Sequence, residues 1–81
     1  MYDYTITNEQ GQTIQTGSLN SHDADAAGYL VFMYTPSGAL ILSVDHDKQE
    51  QGGWSYSVAW TMNVNATEEE DTPVVWDVCF K

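Results

Sequence analysis

Between residues 54 and 64 every even position holds a large apolar residue (Trp54, Tyr56, Val58, Trp60, Met62, Val64) and every odd one a small or polar residue (Ser55, Ser57, Ala59, Thr61, Asn63). Successive side chains on a strand point to opposite faces, so this run predicts a β-strand with one face in a core and the other in water. A chain built around such a strand needs neighbours with matching alternation and an apolar element to cover the dry face.

The neighbours are present. Tyr2, Tyr4 and Ile6 alternate with Asp3, Thr5 and Thr7, Asn8-Glu9-Gln10-Gly11 reads as a turn, and residues 12–18 return as a polar strand, giving an N-terminal hairpin. Residues 39–45 and 74–80 read as two further strands, with Leu40, Leu42 and Val44, then Val74, Trp76, Val78 and Phe80, on the expected inward sides.

The covering element has to come from residues 21–34. Asn20 or Ser21 can cap a helix there, Asp23 and Asp25 suit its positive end, and Ala24, Ala26 and Ala27 are good helix formers. Ala27, Leu30, Val31 and Tyr34 then share one stripe. A rival reading takes Tyr29 to Thr35 as a strand joined through Thr35-Pro36-Ser37-Gly38 to residues 39–45, and Gly28 with the continuous apolar run speaks for it. The helical reading predicts an α+β fold of order ββαβββ, a five-stranded, mainly antiparallel sheet with one helix over residues 21–34 on one face. The alternative is an all-β meander or sandwich. Either way residues 1–81 form a single domain, because a chain of 81 residues has room for one thin core.

Charge bounds the function. Twelve Asp and Glu stand against two lysines, Lys48 and Lys81, and no arginine, for a formal net charge of -10. Phosphate contacts come mainly from Arg and Lys, so direct binding to nucleic acid or to an anionic membrane is disfavoured and a basic protein surface is the expected partner. Cys79 is the one cysteine, ordinary for a reducing compartment, and no apolar run approaches the ~20 residues of a membrane span; a cytoplasmic location is expected.

Nine acids cluster outside the interiors of the expected strands: Asp23 and Asp25 at the helix start, Asp45, Asp47 and Glu50 around one connection, and Glu68, Glu69, Glu70 and Asp71 in another. The expected topology puts the first five on one rim and the last four at the opposite end. These nine are the candidate partner-binding residues. An extended chain advances about 3.3 Å per residue, close to the roughly 3.4 Å axial spacing of phosphates along one DNA strand, so acidic runs can stand in for a phosphate row.

Catalytic and metal chemistry find little support. Asp45-His46-Asp47 with Glu50 gathers carboxylates and an imidazole but lacks the glycine and distal Glu of an EF-hand loop, and His22 with Asp23 and Asp25 is no stronger. No Gly-rich phosphate loop, GxSxG elbow or nucleophile arrangement is present, so no enzyme activity, metal or cofactor is expected. In size, charge and layout the chain resembles the small acidic inhibitors of phages and mobile elements, the anti-CRISPR and anti-restriction proteins, several of which mimic DNA. That resemblance implies a stoichiometric inhibitor whose carboxylates occupy the basic channel of a nucleic-acid-processing defence complex. Two other functions fit the same residues: a small structural or assembly protein that self-associates, and a calcium-binding module using Asp45, Asp47 and Glu50.

Overall fold

The computed structural model describes residues 1–46, 53–62 and 73–81. Elements run in the order β1 (Tyr2–Thr7), β2 (Thr13–Leu19), α1 (Ala24–Tyr34), β3 (Leu40–His46), β4 (Trp54–Thr61) and β5 (Val74–Phe80). The strands form one five-stranded sheet in the order β2-β1-β5-β4-β3, with every neighbouring pair antiparallel, and α1 packs over β3, β4 and β5. This is the α+β, ββαβββ arrangement expected from the alternation.

Residues 24–34 are helical. Asp23, and not Asn20 or Ser21, is the N-cap: its Oδ1 accepts from the backbone N–H of Ala26 at 2.8 Å. Capping satisfies one of the N–H groups that a helix start leaves without an internal partner. At the other end Pro36 disfavours helical geometry in the residue before it, and Thr35 is extended at ψ 158° while its N–H donates to Val31. The turn into β3 closes with Ala39 N–H donating to the Pro36 carbonyl, and Gly38 supplies the φ of +95° it needs. Gly28, which favoured a strand in the sequence, serves packing instead: a Cβ there would lie 3.2 Å from Cγ2 of Val44, so its absence lets α1 sit close on β3.

The core lies between α1 and the sheet. Ile6, Ala27, Leu30, Val31, Val58, Val78 and Phe80 are fully or almost fully buried, with Tyr4, Tyr56, Trp60 and Trp76 around them. Trp60 and Trp76 meet edge to face at 5.1 Å, and the Trp76 indole N–H donates to Glu9 Oε2 at 2.8 Å, tying the first turn to β5. At the end where the helix begins, His22 stacks on Trp54 at 3.7 Å and Tyr2 approaches both rings edge-on.

Two expectations about the inward face are corrected. Leu40 and Leu42 are exposed, and Ile41 and Val44 pack against the core. The cause is a bulge: Ile41 pairs with Trp60 but Ser43 with Ala59, so Leu42 is an extra residue that switches the phase of the strand. Met62 lies beyond the end of β4 and is also exposed, and Val64 falls outside the described residues. Among the described residues no helix is long and apolar enough to cross a membrane.

Candidate functional site

Since α1 covers one face of the sheet, strand register defines what the other face presents. One row across it reads Thr13, Thr7, Asp77, Ser57 and Asp45, and the next reads Thr16, Thr5, Cys79 and Ser55. Each of these residues is out of phase with the buried ones, so these two rows are hydroxyls and carboxylates with one thiol, while the next row on the same face, Ser43, Ala59 and Val75, is mainly apolar. Asp45 and Asp77 are both exposed and stand two strands apart, roughly 9.5 Å at the usual interstrand spacing. The Ser57 hydroxyl between them donates to Asp77 Oδ1 at 3.2 Å. Asp3 lies further along the same face, where the Ser18 hydroxyl donates to it at 2.9 Å and Lys81 is its backbone-bonded neighbour.

Of the nine candidate binding residues, Asp23, Asp25 and Asp45 are described; Asp47, Glu50, Glu68, Glu69, Glu70 and Asp71 lie outside the described residues. Asp23, Asp25 and Asp45 occupy the same end of the domain, because β3 runs toward the end at which α1 starts. They belong to different layers, however. Asp45 is on the open face, Asp25 is exposed on the helix, and Asp23 is committed to capping. Asp3 and Asp77 were not singled out in the sequence, although their places between Tyr2 and Tyr4 and between Trp76 and Val78 carry the same alternation that identified the strands.

Of the Asp45, His46, Asp47 and Glu50 cluster, Asp45 and His46 are described and Asp47 and Glu50 lie outside the described residues. Asp45 and His46 are successive residues of β3 and point to opposite faces, His46 lying against Tyr56 at 5.0 Å. Among the described residues no group of three or more His, Cys, Asp or Glu is placed to hold a metal ion. A shallow depression of about 250 Å³ on the open side is lined by Thr5, Gly53, Trp54, Ser55, Cys79, Phe80 and Lys81, with no carboxylate or imidazole side chain among them.

Two core tyrosines among the described residues are shifted upward in pKa, Tyr4 first through its hydrogen bond with Tyr34 and then through burial. Burial, and then the nearby Asp23 carboxylate, push the Tyr56 phenol above its ordinary value of 10.0. A raised pKa means that the folded state holds the proton more tightly than the unfolded chain. This stability is fully present below 10.0 and is lost as pH climbs through the higher folded value. Tyr56→Phe is therefore expected to flatten the alkaline fall in melting temperature, followed together with tyrosinate absorbance; an unchanged fall would remove Tyr56 as its source.

No protein-family model, curated protein or solved structure matches this chain.

Proposed function

We propose that this protein is a non-enzymatic acidic inhibitor that seats on the basic, nucleic-acid-binding surface of a host defence complex, as anti-CRISPR proteins of the DNA-mimic type do. The observation that supports this most is the open sheet face. It bears Asp45 and Asp77 exposed among hydroxyls and is not used to build the core. Two lysines cannot neutralise twelve carboxylates, and the mutual repulsion of the excess opposes compaction. A Lys- or Arg-lined partner relieves that repulsion and donates charge-assisted hydrogen bonds to the same groups. At roughly 9.5 Å, Asp45 and Asp77 are too widely spaced to copy successive phosphates, so on this face the resemblance to nucleic acid is one of charge.

The test starts with host lysate passed over the immobilised protein at low salt, followed by a salt gradient. One nucleic-acid-processing complex should be retained, and the purified protein should then block that complex's binding to its DNA or RNA, less effectively as salt rises. Retention of nothing, or of a complex that still binds nucleic acid with the protein attached, would overturn the proposal.

A further inference from the structure

The apolar run that made residues 28–34 ambiguous in sequence has a structural consequence. Ala27, Leu30, Val31 and Tyr34 face the sheet, which leaves Tyr29, Phe32 and Met33 on the outside of α1, exposed by 57%, 59% and 50%. They follow one another at i, i+3 and i+4, so they form one continuous patch. A helix that is apolar on all sides belongs in a buried place, and clustered exposed aromatics and methionine are typical of contact surfaces.

Charge indicates what covers this patch. Asp25 lies one turn before Tyr29 on the same stripe, Asp23 caps the same helix, and the last turn holds no basic residue. A second copy would bring the same carboxylates, and its own net charge of -10, against the patch. An anionic lipid surface is repelled for the same reason. We infer that the outer stripe of α1, made by Asp25, Tyr29, Phe32 and Met33, docks against a protein partner that presents apolar side chains bordered by Lys or Arg. This inference rests on the acidic-inhibitor reading and refines its partner. The stripe and the open sheet face lie on opposite sides of the domain, so a partner that contacts both encloses the protein as the walls of a cleft do.

Labelled helical peptides separate this inference from the reading beneath it. One peptide of about 18 residues, long enough to hold a helix, carries Leu on one face and Lys on the other; a second keeps the Lys residues and replaces Leu by Ser; a third keeps Leu and replaces Lys by Glu. Anisotropy titrations should show the Leu/Lys peptide binding best and losing about tenfold or more in affinity with the variant Phe32→Ser/Met33→Ser, while the Lys/Ser peptide is unaffected by that variant. Thermal unfolding checks that the variant is folded, and Phe32→Gln alone serves the same purpose should the double change not fold. Equal binding of the Leu/Lys and Lys/Ser peptides, unchanged by the variant, would overturn the docking stripe while leaving charge-driven binding intact. Tight binding of the Leu/Glu peptide, or a dimer in sedimentation that Phe32→Ser/Met33→Ser dissociates, would also overturn it by assigning the stripe to a neutral partner or a second copy. Failure of both lysine peptides to bind would count against the acidic reading itself.

Discussion

Phe80→Ala is expected to remove about 3–5 kcal/mol of folding stability, the range for truncating a buried aromatic that its neighbours cannot replace. Phe80 is fully buried on β5, in register between Tyr4 of β1 and Trp54 of β4, and meets Tyr56 edge to face at 6.0 Å. It therefore joins the hairpin half of the sheet to the half covered by the helix. A chain of this length holds about 4–12 kcal/mol in all, at about 0.05–0.15 kcal/mol per residue, so the loss takes a large part of the total. Urea unfolding should show a much lower midpoint with an unchanged slope. Phe80→Leu, which leaves a smaller void, is expected to lose less. A variant Phe80→Ala that unfolds at the parental midpoint would mean that the core is not centred on the β1–β5–β4 junction.

Asp45→Asn/Asp77→Asn is expected to weaken binding to the partner complex about thirtyfold or more while leaving stability nearly unchanged. If the open face is covered on binding, the facing Arg or Lys groups are left desolvated and unpaired, at about 2–5 kcal/mol each, and about 2 kcal/mol already corresponds to about thirtyfold. Charges at an exposed rim would give only about 0.2–1 kcal/mol apiece, so the size of the effect distinguishes a covered face from a rim. Asparagine keeps an oxygen able to accept the Ser57 hydroxyl hydrogen bond, so the sheet should tolerate the change. Asp3→Asn is expected to matter less, because Lys81 is already its neighbour. Unchanged affinity in the double variant, measured by calorimetry at low salt, would remove this face from the interface.

The proposed binding surfaces were only partly legible in the sequence. Clustering along the chain directed attention to acids in and near connections, six of which lie outside the described residues. Asp3 and Asp77 stand alone in sequence and join Asp45 on one face only because β1, β5, β4 and β3 are neighbours in the sheet. The exposed stripe of α1 was equally hidden. Seven consecutive residues, Gly28 to Tyr34, satisfy a buried strand and a two-sided helix alike, and only a settled helix divides them into the four that touch the sheet or its approach and the three that face outward.

What the sequence determined by itself was five strands and their order, with the segment up to Tyr34 left open between helix and strand. Period-two alternation in residues 2–7, 54–61 and 74–80 leaves one way to bury Trp54, Tyr56, Val58, Trp60, Trp76, Val78 and Phe80 together, and a one-residue slip would turn each of them to water. The tertiary structure alone decided the phase of β3, the role of Gly28 and the company each carboxylate keeps. The bulge at Leu42 arises from pairing with β4, and the missing Cβ of Gly28 has meaning only where Val44 approaches it. Alternation is a property of a single strand and can be read along the chain, whereas register, bulges and shared faces belong to pairs of strands distant in sequence.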